Sequence, residues 1–152
     1  YTGARIEEMC QLRVKDVVVE DNCRALRITK SKTLAGTRLV PIHPSIGDLI
    51  DKLVATSRDN FLIFSKSKNQ YEERSTGLSR RFGRLKSSLG YGPELVFHSL
   101  RKTVTTKLEQ AGVPEGVAAD IVGHEKQTIT YGLYSGGTSM AQKMEAIAKI
   151  KY

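Results

Sequence analysis

The chain has 152 residues, of which 39% are hydrophobic and 26% are charged, as expected for one globular domain with a single core. Lys and Arg number 24 and Asp and Glu number 16, so the net charge is +8. No apolar run approaches the roughly 20 residues that a membrane-spanning helix needs. The first residues, Tyr1 to Arg5, have neither an initiator Met nor a signal-peptide pattern, so we expect a fragment of a longer protein.

The first third of the chain has the pattern of a short helix followed by a small antiparallel sheet. Apolar residues at helical spacing predict a helix over residues 3–12. β-Branched and alternating apolar residues predict three strands, over 14–20, 24–29 and 38–42. Asp21-Asn22 marks the first turn, and a hairpin tip is predicted around Ser31-Lys32-Thr33.

The remainder is predicted to be helical, apart from a loop over residues 57–75. The predicted helices cover 44–56, 76–89, 98–111, 115–122, 128–134 and 138–150. Gly136-Gly137 is the expected hinge before the last helix. The pattern therefore predicts an α+β fold, mainly α with a small antiparallel three-stranded sheet, in a single domain over residues 1–152.

Cys10 and Cys23 are the only cysteines, and both lie in apolar-patterned segments. We expect buried free thiols in a reducing compartment. Two cysteines cannot close a zinc site alone, and no Cys and His have the spacing of zinc ligands. Neither a metal nor a cofactor is predicted.

Basic residues recur along the whole chain and do not form a tail. They include Lys30, Lys32, Arg80, Arg81, Arg84, Lys86, Arg101 and Lys102. The pI of about 9.6 exceeds the value of about 9 that is typical of nucleic-acid-binding domains. This distribution favours a folded surface that follows a phosphate backbone, with strongly salt-dependent binding. On charge alone, a basic protein without a polyanionic partner stays the alternative.

One candidate motif is His98-Ser99-Leu100-Arg101, at the start of a predicted helix. Residues three apart share a helix face, so the imidazole and the guanidinium would together form a cradle for phosphate. Alone, this motif is weak, because a solvated helix face is the better explanation of a single His and Arg three residues apart.

Two further motifs are also weak in isolation. Gly123-His124 is followed by Tyr131 and Tyr134, and these residues could simply pack in the fold. Near the N-terminus, Arg5 is followed one helical turn later by Glu8, which could orient it. The plain alternative is an ordinary ion pair between residues three apart.

The motifs, taken in order, resemble the tyrosine recombinases, or phage integrases. The resemblance lies in residues 1–12, 30–41, 98–101 and 122–134, and it covers almost the whole chain. It implies that six side chains meet at one scissile phosphate: Arg5, Lys32, His98, Arg101, His124 and Tyr134.

The resemblance also implies their roles. Tyr134 would attack phosphorus to leave a 3′-phosphotyrosine and a free 5′-hydroxyl. Arg5 and Arg101 would neutralise the transition state, His124 would donate a hydrogen bond, and His98 would accept the phenolic proton. With two arginines in place, this chemistry requires no metal.

The resemblance also bears on the general acid, on the choice between two tyrosines, and on the residue that aligns Arg5. Lys32 would be the general acid for the leaving 5′-oxygen, with Lys30 as its rival. Tyr134 lies ten residues after His124 (134 − 124), as in the family, whereas Tyr131 lies only seven after it. Glu8 would align Arg5.

DNA contacts are expected from the basic helix after residue 76 and from residues near the site. The candidates are Lys30, Arg80, Arg81, Arg84, Lys86 and Lys102. The resemblance implies double-stranded DNA as substrate, a homotetramer on DNA with exchange of the C-terminal tail (residues 136–152), accessory DNA-bending proteins, and action at the nucleoid in the cytoplasm. The tail helix could equally fold back on its own domain.

The family also implies parts that we do not find in this sequence, namely an N-terminal DNA-clamping domain and a helix ahead of the Thr2–Arg5 motif. The predicted function is that of a site-specific recombinase or integrase. A type IB topoisomerase would use the same chemistry to relax supercoils. A non-catalytic DNA-binding regulatory domain is the other alternative.

Overall fold

The computed structural model describes residues 1–31, 34–65, 73–125 and 137–152, and for Leu34 the backbone alone. These ranges contain a three-stranded antiparallel sheet, in the order β1-β2-β3, and six α-helices. The strands are β1 (Val17–Glu20), β2 (Cys23–Ile28) and β3 (Arg38–Pro41). The helices are α1 (Ile6–Gln11), α2 (Gly47–Ala55), α3 (Thr76–Ser88), α4 (Phe97–Gln110), α5 (Glu115–Val122) and α6 (Met140–Ala148). The predicted fold class is confirmed.

Two turns position the sheet. Asp21 and Asn22 both have positive φ angles, of 48° and 59°, as a tight two-residue hairpin between β1 and β2 requires. The longer connection from β2 to β3 brings Ser31 and Arg38 to the first turn of α1, where both side chains donate to the same carboxylate. The sheet therefore supports the N-terminal motif that the sequence singled out.

Element boundaries differ from the prediction by three residues at the start of three elements, and by at most two residues elsewhere. Residues 14–16 form a 3₁₀ turn ahead of β1, because the Asp16 carboxylate accepts a hydrogen bond from the Arg13 backbone N–H at 2.8 Å. Helix α1 begins at Ile6 and not at residue 3. A 3₁₀ turn over Pro44–Ile46 precedes α2. The helix predicted over 128–134 lies outside the described residues.

The hydrophobic core lies between the sheet, α4, α5 and α6. Its fully buried side chains include Leu26, Ile28, Val40, Leu108, Ile121, Ile147 and Ile150. Ile147 and Ile150 come from the C-terminal segment, and α6 contacts both α5 and β3 of its own chain. Of the two alternatives for the tail helix, this structure therefore has the one in which it folds back on its own domain.

Both cysteines are unpaired thiols. Cys10 is fully buried, and burial raises the pKa of its thiol to about 11. Cys23 is only half-buried, so the prediction of burial is confirmed for Cys10 alone. Among the described residues, no helix is long and apolar enough to cross a bilayer.

Candidate active site

Arg5 and Glu8 form the first part of the site, at the N-terminus of α1. Arg5 is the residue that precedes the helix, and its backbone N–H donates to Oε2 of Glu8 at 2.9 Å. The Arg5 guanidinium donates to Oε1 of Glu8 at 2.7 Å. Ser31 bridges the pair, because its hydroxyl donates to Oε1 of Glu8 at 2.7 Å and accepts from Nη1 of Arg5 at 3.3 Å. The structure thus places Glu8 where it can orient Arg5.

Arg38 is a second cation on Glu8, and the sequence analysis did not identify it. Its Nη2 lies 3.1 Å from Oε2 of Glu8, and both side chains are almost fully buried. Burial raises the pKa of Glu8, but the hydrogen bonds from Arg38, the Arg5 backbone and Ser31 outweigh it and lower the pKa to about 2. Glu8 is therefore a carboxylate at neutral pH, held between two arginines.

Arg101, on α4, is the most enclosed cation of the site, with 4% of the residue exposed. Its Nη1 donates to the carbonyl oxygen of Gly3 at 2.7 Å. Its Nη2 is buried and has no hydrogen-bond partner among the described residues. Burial, followed by repulsion from Arg5 and Arg38, lowers the pKa of Arg101 to about 10, so the guanidinium is still charged at pH 7. A buried charged donor without a partner costs free energy, which an anionic ligand would recover.

Gly3 explains why the chain can present this carbonyl to Arg101. Its φ angle is +61°, in the left-handed region, where a residue with a Cβ is disfavoured. A Cβ at Gly3 would also lie 2.8 Å from Cγ1 of Val122 and 3.2 Å from Cγ1 of Val104. The glycine of the N-terminal motif is therefore required both for the turn and for close packing of the segment ahead of α1 against α4 and α5.

His124 enters the site from the turn after α5. Gly123 ends that helix with a φ of +78°, and the backbone N–H of His124 donates to the Ala119 carbonyl at 3.0 Å. Burial lowers the pKa of His124, and electrostatic interaction with Arg101, Arg5, Arg38 and, last, His98 lowers it further. His124 is therefore close to these four side chains, and its imidazole is mostly neutral at pH 7.

The two ends of the His98–Arg101 motif differ in environment. His98 lies in the first turn of α4 and is exposed, whereas Arg101, one turn later, is buried. Both act electrostatically on His124. The described part of the site therefore places Arg5, Arg101 and His98 within electrostatic reach of His124.

The other predicted residues fall into three groups. Lys32, Tyr131 and Tyr134 lie outside the described residues. Lys30, Arg80, Arg81, Arg84 and Lys102 are exposed. Lys86 is half-buried, and its ammonium donates to the Gly92 carbonyl at 2.7 Å, where it closes the turn after α3. Its charge is therefore partly committed to the fold.

We expect Glu8→Gln to destabilise the fold at neutral pH. The carboxylate's pKa falls from 4.5 in the unfolded chain to about 2 in the folded one, which corresponds to about 3 kcal/mol in the free energy of unfolding. A lowered pKa stabilises the fold above pH 4.5, and this contribution is lost as the pH falls from 4.5 towards 2. Urea titrations of wild type and variant at stepped pH values should therefore differ most at pH 7 and converge in acid.

Glu109→Gln is the matched control, because Glu109 is an exposed carboxylate on α4. It should change the free energy of unfolding by no more than about 0.5 kcal/mol. A difference between wild type and Glu8→Gln that stays constant from pH 7 to acid would contradict the low pKa of Glu8.

The chain is similar in sequence to known proteins. Residues 1–138 match the model of the phage integrase family. The prophage integrase IntF of Escherichia coli K12 is 29% identical over 134 aligned positions, covering 84% of this chain and 27% of that protein. The tyrosine recombinase XerA of Pyrococcus horikoshii is 27% identical over 155 aligned positions, covering 98% of this chain and 51% of that protein.

The fold has a solved counterpart. A crystal structure of a XerA recombinase superposes with a TM-score of 0.60 at 21% identity, over 100% of this chain and 56% of that one. The chain spans about half the length, or less, of the curated relatives described above. Since the family model covers residues 1–138 of the 152, the chain belongs to the phage integrase family.

Proposed function

We propose that this chain is the catalytic domain of a site-specific DNA recombinase that cuts and rejoins strands through a 3′-phosphotyrosine. The observation that carries the proposal is the buried Nη2 of Arg101, which has no partner among the described residues and lies within the electrostatic reach of Arg5 and Arg38. Cations crowded in this way repel one another, and a phosphate diester would relieve that repulsion.

The proposed reaction is an in-line displacement at phosphorus. The phenolic oxygen of Tyr134 forms a bond to phosphorus while the bond from phosphorus to the 5′-oxygen breaks. His98 takes the phenolic proton, and Lys32 gives a proton to the departing 5′-oxygen, with Lys30 as the alternative donor. In the reverse reaction, a 5′-hydroxyl oxygen forms a bond to phosphorus while the bond from phosphorus to the Tyr134 oxygen breaks and the phenol regains its proton. The phosphotyrosine therefore keeps the energy of the broken diester, and no nucleotide cofactor is needed.

The remaining charged residues act on the transition state. Arg5 and Arg101 neutralise the negative charge that grows on the non-bridging oxygens. His124, which is mostly neutral at pH 7 because its pKa is lowered, donates a hydrogen bond from its N–H. Glu8 carries no substrate contact in this proposal and holds the Arg5 guanidinium by its 2.7 Å ion pair.

Double-stranded DNA is the proposed substrate, and exposed cations are its proposed contacts. They are Lys30, Arg80, Arg81, Arg84 and Lys102. Lys86 contributes less in this proposal, because its ammonium already binds the Gly92 carbonyl.

Assembly on DNA is part of the same proposal. The greater length of the relatives supports a DNA-clamping domain beside this one. The proposal also includes a tetramer at the nucleoid, with DNA-bending proteins as accessories. Tail exchange between subunits would have to displace α6, whose Ile147 is fully buried in its own domain.

A trapping experiment with a DNA pool tests the proposal without a known target sequence. Duplexes with a randomised central segment and scattered nicks are incubated with the protein and denatured in detergent. Protein-linked DNA is then captured and sequenced. A nick just 3′ of the cleavage site lets a short 5′-hydroxyl fragment diffuse away, so that the adduct accumulates. We expect adducts that share one sequence.

The same DNA separates the alternatives. Exchange between two copies of the recovered sequence supports a recombinase, whereas relaxation of supercoils without exchange would indicate a topoisomerase. Binding without any adduct would indicate a regulatory DNA-binding domain and would contradict the proposal. Binding is compared at one fixed salt concentration, because contacts with phosphates make affinity depend on salt.

A further inference from the structure

Arg38 is a buried cation among the described residues of the site region, and the sequence pattern assigns it no role. We propose that Arg38 is a positioning residue, which holds Arg5 and the His124 turn in their places around the scissile phosphate. This inference rests on the proposed function and adds a residue to its machinery.

The guanidinium of Arg38 joins three separate segments of the chain. Its Nη1 donates to the Gly36 carbonyl at 2.6 Å, within the connection from β2 to β3. Its Nε donates to the Ile121 carbonyl at 2.7 Å, in the last turn of α5. Its Nη2 donates to Glu8 at 3.1 Å, in the first turn of α1. One side chain thus fixes the hairpin, the helix that leads to His124, and the carboxylate that binds Arg5.

Close packing at Gly123 supports the link to His124. A Cβ at Gly123 would lie 2.6 Å from Nη1 and 2.8 Å from Cζ of Arg38. Only a residue without a Cβ lets the guanidinium lie against the backbone here. Because Gly123 directly precedes His124, a shift of Arg38 changes where the imidazole is presented.

The contacts of Arg38 differ from those of Arg101 in a way that separates their roles. All three nitrogens of Arg38 have protein partners. Nη2 of Arg101 has none among the described residues. Arg101 is therefore suited to bind the phosphate, whereas Arg38 is suited to hold other groups in place.

Loss of Arg38 would change the balance of charge on Glu8. Glu8 accepts from Arg5 through Oε1 and from Arg38 through Oε2. Without Arg38, Oε2 keeps the Arg5 backbone N–H but loses its cation, and the carboxylate is drawn more strongly to the Arg5 guanidinium. Arg5 would then be less available to the phosphate, and the last turn of α5 would lose a tether.

The test compares two DNA substrates that share the cleaved sequence from the trapping pool. One carries an ordinary scissile phosphate, and the other carries a methylphosphonate, in which a methyl group replaces a non-bridging oxygen and removes the negative charge. We expect Arg38→Gln to slow single-turnover cleavage of the phosphate on the order of 100-fold, because misplaced catalytic groups cost about that much. On the methylphosphonate the loss should be clearly smaller, because less charge has to be neutralised.

Arg38→Lys is the second variant, because Arg38→Gln leaves Glu8 without a buried counter-charge and can fail to fold. Lysine keeps the charge but cannot reach three segments at once. It should show the same difference between the substrates.

Arg74→Lys is the matched control. Arg74 is equally buried, and it donates to Asp59 at 2.9 Å and to the Cys10 carbonyl at 3.1 Å, away from the cluster. Arg74→Lys should change the single-turnover cleavage rate by the same factor on both substrates. An equal loss for Arg38→Lys on both substrates would overturn the positioning role alone. A wild-type protein that forms no adduct would overturn the proposed function and this inference together.

Discussion

Tyr134→Phe is expected to form no covalent adduct above background in the trapping experiment, while its affinity for the recovered DNA stays close to that of wild type. The substitution removes one oxygen atom and keeps the ring. Without the phenolic oxygen no bond to phosphorus can form, so the loss of adduct should be complete. The measurement is a denaturing gel of labelled DNA beside a binding titration at fixed salt.

Tyr131→Phe is the control that separates the two tyrosines. It makes the same chemical change three residues earlier (134 − 131), and it should retain the adduct. Loss of the adduct in Tyr131→Phe, with retention in Tyr134→Phe, would show that the nucleophile is Tyr131 and that the assignment to Tyr134 is wrong.

Described residues on either side of the stretch that contains Tyr134 are bound to α5. Upstream, the backbone of His124 is bound to Ala119 of α5. Downstream, the backbone N–H of Thr138 donates to Asp120 of the same helix at 2.8 Å, and the Thr138 hydroxyl donates to it at 2.5 Å. Both ends of the stretch that contains Tyr134 are therefore fastened next to the His124 turn.

Local pattern was sufficient to predict most of the fold. The Asp21-Asn22 turn and the alternating residues of β2 depend on neighbours in sequence, and the structure confirms them. The spacing of His98 and Arg101 predicts a shared helix face, but it does not predict that Arg101 is buried and His98 exposed. That difference arises from the packing of α4 against Gly3, 98 residues away in the chain.

Arg38 shows what local pattern cannot reveal. It looks like an ordinary residue at the start of a strand. Two of its partners are Glu8, 30 residues earlier, and Ile121, 83 residues later. Helix and strand spacing link residues only a few positions apart, so neither contact can be predicted from the pattern of a single sequence. In the sequence, Gly123 is simply the residue before His124. The structure shows that its missing Cβ allows Arg38 to approach the backbone closely.

Arg101→Gln should reduce the rate of single-turnover cleavage by about 10²–10³-fold, the usual cost of losing one preorganised donor to a developing oxyanion. Arg101 is buried and its Nη2 has no partner among the described residues, so we expect this nitrogen to donate to the reacting phosphate. DNA affinity should change far less than the rate, because the proposed contacts with the phosphate backbone are mostly exposed residues. Rates at saturating DNA and a binding isotherm measure the two effects separately.

Lys107→Gln is the control for charge, because it removes one positive charge from the same helix without touching the cluster around His124. It should leave the cleavage rate within a few-fold of wild type. Arg101→Lys separates charge from geometry, since an ammonium can replace the charge but cannot bind the Gly3 carbonyl and a phosphate through a planar fork. We expect it to be nearly as slow as Arg101→Gln. If either Arg101 variant cleaved within tenfold of wild type, the unpartnered nitrogen would not be the phosphate ligand, and the central observation behind the proposed function would lose its meaning.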